Sequence, residues 1–214
     1  MKKYCFELKG AMYDIAFPNN LITEREQLLR IIMEACRQMM YSDEDTHTQN
    51  KMVLLVKEMN RLFFCSNKKY YSVAFPFHVA KNQSLIFDYQ GVIIDSQMIS
   101  DICLILGADE YKSFHAIDFV GLIDDIENNH SEDFWHVFKH LLTYEIGYVR
   151  YDDDIEGYKN ALQRGKPKSH PHYHLDINMS NQATYKVGLP NSYSLDDFIY
   201  ILDNDNNDRL FMKR

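Results

Sequence analysis

The chain has 214 residues, of which 46% are hydrophobic, enough to bury one substantial core. Its 31 acidic residues outnumber the 23 basic ones, and the net charge of -8 disfavours non-specific binding to nucleic acid. Neither an 18-residue apolar run nor the apolar region of a signal peptide occurs, so we expect no membrane association.

The cysteines lie far apart and form no Cys-x-x-Cys pair, which is typical of reduced thiols in the cytoplasm. We therefore expect a cytoplasmic protein with a single domain over residues 1–214. Within it we predict a helical part at about 1–67, a mixed part at about 68–203 and a polar tail at 204–214.

Two helices are predicted in the N-terminal part. Thr23 and Glu26 form a capping box, which predicts a first helix from about 23 to 40. Apolar residues at spacings of three and four then predict a second amphipathic helix. These residues are Met52, Leu55, Val56, Met59, Leu62 and Phe63.

Strands are predicted next, in the aromatic and β-branched runs "YYSVAFPFHV" and "SLIFDYQGVII". Pro76 places the first run at a sheet edge or a bulge. A short helix ending on a glycine cap follows at about 95–107, and residues 110–127 are ambiguous between strand and helix.

A further helix is predicted from its cap at Ser131 to about residue 142. It carries His136 and His140 four residues apart, a spacing that can bind metal. The segment lacks the glutamate of the zinc-protease motif, so we favour a solvated or half-buried histidine pair.

Three strand-like runs, "EIGYVRYDDD", "HYHLDINM" and "TYKVGLP", precede a final helix that opens at Ser194 and Asp197. Together these patterns predict an α+β fold with a helical N-terminal third, an antiparallel sheet ending in a three-stranded meander, and a C-terminal helix. The basic segment "IEGYKNALQRGKPKS" predicts a flexible loop, either suited to an anionic ligand or simply solvated.

The segment "KSHPHYHLDIN" alternates polar and apolar residues. On a strand, successive side chains point to opposite faces, so its polar residues are predicted to share one face. They are His170, His172, His174, Asp176 and Asn178. Alternation alone is typical of a strand with one wet face.

Arg150, Asp152 and Asp154 alternate in the same way on the preceding strand. If the two strands pair with these faces matched, imidazole, carboxylate and guanidinium groups form one cluster. Such a cluster has ligands for a divalent metal ion. It can equally hold a phosphate through Arg150 and attack it with a histidine, so the cofactor stays open.

The order of a helix, "GYVRYDDD", a loop and "HPHYHLD" resembles the C-terminal half of the histidine-triad nucleotide hydrolases and transferases. That resemblance implies that His172 is the nucleophile that takes a nucleotidyl group, with His170 and His174 supporting the phosphate. Asp176 stands where that family has an apolar or small residue.

A longer stretch, "RYDDD", "HP", "HLD", "YKVGLP" and "SLDDFIYIL", resembles an uncharacterised bacterial family, a domain of unknown function. In that pattern Asp176 replaces the last histidine and His172 falls at a variable position. The matching residues are Arg150, Asp152, His170, Pro171 and His174. We favour this resemblance because it includes the strand and helix after the motif. It implies an association with bacterial defence and toxin systems, but no reaction.

Two functions therefore remain open. One is hydrolysis of a phosphate ester or nucleotide, with or without a divalent metal ion. Its candidate residues are Arg150, Asp152, His170, His172, His174 and Asp176. The other is a non-catalytic interaction protein, such as an antitoxin or defence-complex subunit, whose acidic surface and 14% aromatic content serve a protein partner.

Overall fold

Distant parts of the chain assemble into two compact units in the computed structural model. It describes residues 2–18, 22, 24–45, 47–58, 60–67, 69–108, 128, 130–179 and 183–203. The first unit comprises Met1–Leu8, Glu44–Ala74 and Gly147–Arg214, and the second comprises Lys9–Asp43 and Phe75–Ile146.

Both helices and strands are abundant, which confirms the α+β class. The described strands are β1 Lys2–Glu7, β2 Lys51–Val56, β3 Arg61–Ser66, β4 Lys69–Ala74, β5 His78–Lys81, β6 Leu85–Tyr89, β7 Val92–Ile93, β8 Val149–Asp153, β9 Tyr173–Met179 and β10 Ala183–Gly188. The described helices are α1 Gly10–Ala16, α2 Arg25–Tyr41, α3 Ser96–Gly107, α4 Glu132–Thr143, α5 Ile155–Gln163 and α6 Leu195–Leu202, with a 3-10 helix at Pro167–Ser169.

The first unit is built on a seven-stranded antiparallel sheet in the order β1-β2-β3-β4-β8-β9-β10. Its last three strands form the predicted meander. One face of the sheet packs against α6, where Phe198 is fully buried against Phe63 and Tyr151. As predicted, Ser194 and Asp197 form the capping box that begins this helix.

The second helix predicted in the N-terminal part is wrong, because those residues form the β2 and β3 hairpin. With β1, this places three strands in a third of the chain that was expected to be helical. Both strands are almost entirely buried, so their apolar run is continuous and contains a helical period by coincidence. Asn60 forms the turn, where its side-chain Oδ1 accepts a hydrogen bond from the Lys57 backbone N–H.

The second unit combines α1 to α4 with a three-stranded sheet in the order β5-β6-β7. The first predicted helix is confirmed as α2, although its capping box uses Glu24 and Gln27 instead of Thr23 and Glu26. The Arg25 guanidinium donates hydrogen bonds to the Leu141 and Tyr144 carbonyls at the end of α4. The side chain of Arg25 thereby caps a helix that is distant in sequence.

Two further predictions for this unit have clear outcomes. The helices capped by Asp95 and Ser131 are confirmed as α3 and α4. The expected glycine cap of α3 is wrong, because Gly107 is the last helical residue and Ala108 is the cap. Pro76 lies between β4, an interior strand of its sheet, and β5, which is at the edge of the three-stranded sheet, so the proline lies near an edge strand as predicted. The ambiguous segment at 110–127 lies outside the described residues.

The basic segment between β8 and β9 is not a flexible loop, because most of it forms α5. Asp154 caps the start of this helix, where its Oδ1 accepts a hydrogen bond from the Gly157 N–H. At the other end, Gly165 with a φ of 70° and the bonds from Gly165 to Leu162 and from Lys166 to Ala161 form a Schellman motif.

All four cysteines are free thiols, three of them buried and Cys103 half-buried. This agrees with the expectation of reduced cysteines. Among the helices that the structure describes, none has the length and apolar composition needed to cross a membrane.

Candidate functional site

The pairing of the last three strands brings polar residues together on the face of the sheet opposite α6. Asp152 lies opposite His174, Arg150 lies opposite Asp176, and Lys186 follows opposite Asp176 on β10. Because side chains alternate along a strand, all five point to the same side. The matched faces predicted for the two histidine and aspartate strands are therefore confirmed for these residues.

His174 is the most deeply buried of the five, with a side chain that is 0% exposed. Its Nδ1–H donates a hydrogen bond of 2.8 Å to the Pro171 carbonyl. Its Nε2 lies 2.9 Å from the Lys186 ammonium, whose N–H it accepts. Burial, with the positive charge of Lys186, holds the pKa of His174 below its ordinary value, so this imidazole is neutral.

Two cations bind the carboxylates. Arg150 donates hydrogen bonds to Asp152 Oδ2 at 2.9 Å and to Asp176 Oδ2 at 2.5 Å. Lys186 Nζ lies 2.8 and 3.1 Å from the two oxygens of Asp176. Burial disfavours the charged form of Arg150, but the carboxylates, Asp152 above all, outweigh it and raise the Arg150 pKa.

One carboxylate oxygen of this group stands apart from the network. Asp152 Oδ1 is buried and accepts no hydrogen bond from any residue that the structure describes. Its sister oxygen, Oδ2, is bound by Arg150. A buried acceptor without a donor is costly, so this oxygen is a point where the network is incomplete.

We call Asp152, His174 and Asp176 the imidazole-carboxylate cluster. One ligand atom from each lies within 4.8 Å of the others. His174 Nε2 is 3.6 Å from Asp176 Oδ1 and 3.7 Å from Asp152 Oδ2. One imidazole and two carboxylates are ligands for divalent transition metals. Two of the three, His174 and Asp176, bind the Lys186 ammonium.

His172 does not share a face with the other two histidines, which contradicts the prediction from alternation. The strand begins at Tyr173, so His172 precedes it and turns to the other side. There its Nε2 donates to Asp153 Oδ1 at 2.9 Å, and its ring stacks on Tyr173. His172 is therefore remote from the groups that surround His174.

His170 lies beside the cluster but binds a different carboxylate. Its Nε2 donates to Asp154 Oδ2 at 2.8 Å, and its ring meets the His174 ring edge to face at 4.9 Å. Asp154 follows the end of β8 and caps α5, so it does not join Arg150 and Asp152 on the strand face as predicted. Burial opposes ionisation of Asp154, but the Gly157 N–H and His170 outweigh it and lower its pKa.

Gly157 explains how a helix start approaches His170 so closely. A Cβ at this position would lie closer than 3.0 Å to His170 Nε2 and Asp154 Oδ2. Only glycine leaves room for these two side chains against the first turn of α5.

Sequence reasoning missed two residues of the site. Lys186 could have been found by extending the alternation to "TYKVG" on β10, where it lies opposite Asp176. Tyr148 precedes β8, and burial raises its pKa to about 12 despite the opposing charge of Arg150. No pattern in the sequence marks this phenol.

The histidine pair on α4 is half-buried, as predicted. His136 Nε2 bonds to Gln90 Oε1, and His140 Nε2 donates to the Pro76 carbonyl. The His140 ring stacks on Tyr89 at 3.8 Å. Their Nε2 atoms are thus directed to separate protein partners.

Comparison with known proteins adds no relative: no family model, no curated protein and no solved structure matches the chain. A functional proposal therefore has to rest on the site itself.

Proposed function

We propose that the protein hydrolyses a phosphate ester or a nucleotide at the imidazole-carboxylate cluster. The observation that carries this proposal is the placement of two cations, Arg150 and Lys186, directly beside a neutral imidazole and two carboxylates on one sheet face. Hydrolysis of a phosphate ester needs cations that bind the phosphate, and it needs a base or a metal ion that activates the attacking water.

Arg150 and Lys186 are suited to hold the phosphate. A guanidinium binds phosphate oxygens through two parallel hydrogen bonds, and an ammonium adds a mobile positive charge. The Lys186 side chain is 28% exposed and that of Arg150 is 17% exposed, more than any side chain of the cluster. A substrate would therefore reach the site past these two residues.

The cluster is suited to activate the attacking water. The water oxygen would bond to phosphorus as the bond to the leaving oxygen breaks, and the water proton would pass to the cluster. Lys186 would supply the proton for the leaving oxygen. His172 has no part in this chemistry, because it binds Asp153 on the other side of the sheet.

Turnover of 4-nitrophenyl phosphate, bis(4-nitrophenyl) phosphate and nucleoside triphosphates tests the proposal. We expect His174→Gln to lower the rate by on the order of 100-fold or more, since it removes a group in the cluster. His172→Gln should leave the rate within about 2-fold. In the histidine-triad mechanism the same variant would lose its activity, because His172 would be the nucleophile. Circular dichroism establishes that both variants fold. Absence of turnover in the native chain, or equal loss in both variants, overturns the proposal.

A second candidate function is a non-catalytic interaction subunit, and one observation favours it. β10 is at the edge of the seven-stranded sheet and carries Tyr185, which is 61% exposed. An edge strand with an exposed aromatic side chain can pair with a strand of a protein partner. Co-purification of one partner at fixed stoichiometry, without any response to phosphates, would favour this function over hydrolysis.

A further inference from the structure

We propose that Asp152, His174 and Asp176 form a divalent-cation site, and that the Lys186 ammonium is the cation that the metal ion replaces. This inference rests on the function proposed above, because it names the cofactor of the same site. Its test measures metal binding and not turnover, so the metal site and the proposed hydrolysis can fail independently of each other.

The spacing of the donor atoms fits one shared ion. Ligands bound at about 2.1 Å to the same ion lie roughly 3 to 3.5 Å from each other. His174 Nε2 is 3.6 Å from Asp176 Oδ1 and 3.7 Å from Asp152 Oδ2. Side-chain movements that shift the carboxylate oxygens by a few tenths of an ångström would bring these distances into the range expected for ligands of one ion.

The imidazole is already oriented as a ligand. The bond from Nδ1–H to the Pro171 carbonyl fixes the tautomer in which Nε2 carries the lone pair. Metal-binding histidines are commonly oriented in this way by a carbonyl behind the ring. Nε2 is directed to the position between the two carboxylates.

Asp152 supplies an independent observation. The residue is 8% exposed, and its Oδ1 accepts no hydrogen bond within the described part of the chain. A metal ion beside Asp152 Oδ2 would place a positive charge next to the carboxylate whose second oxygen has no donor. A purely structural salt-bridge network would be expected to bind both oxygens.

Lys186 binds two of the three proposed ligands, His174 and Asp176, much as a metal ion would. Its Nζ lies 2.9 Å from His174 Nε2 and 2.8 Å from Asp176 Oδ1. The side chain is 28% exposed and has a flexible stem, so it can move outward when an ion enters. Arg150 can remain bound to both carboxylates.

Replacement of the Lys186 ammonium by a divalent ion makes the site more positive. With Lys186 in place, two carboxylates and two side-chain cations cancel. A divalent ion in place of the ammonium leaves the site positive, which favours an anionic substrate. The ion would also lower the pKa of a bound water and so supply the hydroxide for hydrolysis.

A ligand set of one imidazole and two carboxylates suits Mn²⁺, Fe²⁺, Co²⁺ or Zn²⁺. It suits Mg²⁺ and Ca²⁺ less well, because these two ions prefer ligand sets made only of oxygen atoms. We therefore choose Mn²⁺ and Zn²⁺ as the probes. Isothermal titration calorimetry on the chelator-treated full chain measures the dissociation constant, and a thermal shift with each ion gives a second measurement.

The decisive variant is Lys186→Met, which removes the competing ammonium. We expect it to tighten Mn²⁺ binding by roughly 10-fold or more, because the ion no longer has to displace a positive charge from its ligands. A lysine with only a structural role would have no such effect. Lys186→Gln, which keeps a hydrogen-bonding side chain, serves if the methionine variant does not fold.

Asp152→Asn and His174→Gln should each weaken binding by more than ~10-fold. His78→Gln is the matched control, because His78 also binds a carboxylate, Asp88, and lies in the second unit. It should leave the dissociation constant unchanged. The inference is overturned if neither ion binds the native chain or Lys186→Met, or if Asp152→Asn and His174→Gln bind as the native chain does. Metal binding without turnover overturns only the proposed hydrolysis, and turnover that survives chelation overturns only the metal site.

Discussion

Each aspartate of "DDD" lies beside a different histidine of "HPHYH". Asp154 binds His170, Asp153 binds His172, and Asp152 lies beside His174. Only the last of these pairs belongs to the cluster with two further charged neighbours. Neighbouring residues of one polar segment therefore have different chemical surroundings.

Gly157 offers a test of the packing beside the site. We predict that Gly157→Ala lowers the free energy of unfolding by about 1–3 kcal/mol, because the new Cβ forces His170 and Asp154 apart. The better helix propensity of alanine, worth about 1 kcal/mol, offsets only part of this. Urea unfolding gives the measurement.

The control for this prediction is Gly107→Ala at the end of α3, where the nearest atom would be 3.8 Å away. That variant should be neutral or slightly stabilising. If Gly157→Ala behaves in the same way, then His170 is not held against the first turn of α5.

At the scale of elements, the ends of helices were the most predictable features. Asp95, Ser131 and Ser194 each accept a hydrogen bond from a backbone N–H three residues later, and that preference is local. The β2 and β3 hairpin was not predictable in this way. Its residues are apolar on both faces, so no alternation distinguishes strand from helix.

Ser194 tests how far a cap supports an element. We predict that Ser194→Ala lowers the free energy of unfolding by about 1 kcal/mol, since Ser194 Oγ accepts a hydrogen bond from the Asp197 N–H. The hydroxyl and backbone of Ser194 also lower the pKa of Asp197, so the variant should raise that pKa. Chemical denaturation and carboxylate titration by NMR measure the two effects. Ser194→Thr keeps a hydroxyl that both accepts and donates these hydrogen bonds, so it should preserve stability, and a loss equal to that of alanine would contradict the capping role.

At the scale of the whole molecule, the pairing of strands was only partly predictable. The antiparallel order of β8, β9 and β10 was foreseen because these strands are consecutive in the chain and alternate clearly, although α5 between β8 and β9 was not. The pairing of β4 with β8 joins parts of the chain that are separated by most of the second unit. No local pattern records such a contact, so the division of the chain into units was not foreseen.

The stability of the whole molecule should depend on pH through two buried imidazoles. Burial lowers the pKa of His174 and of His140 from the ordinary value of 6.5. In the unfolded chain these rings take up protons at a higher pH than in the folded chain. Stability contributed by the neutral rings is therefore present above about pH 6.5 and is lost as the pH falls through their lower folded-state pKa values.

We expect the urea midpoint to fall between pH 7 and pH 5, a range above the titration of the carboxylates with lowered pKa. His140→Gln should make the urea midpoint fall less over this pH range, because it removes one of the two imidazole rings. An unchanged midpoint over this range would show that neither imidazole resists protonation in the folded state.

The three aspartate and histidine pairs also fix how β8 and β9 align. Sliding one strand by a single residue would place Asp153 on the face of the cluster and leave His172 and His174 against new neighbours. Length changes between the strands that spare the first turn of α5 would leave every pair in place. "RYDDD" and "HPHYHLD" therefore constrain each other as one split signature, and related chains should preserve or lose the two halves together.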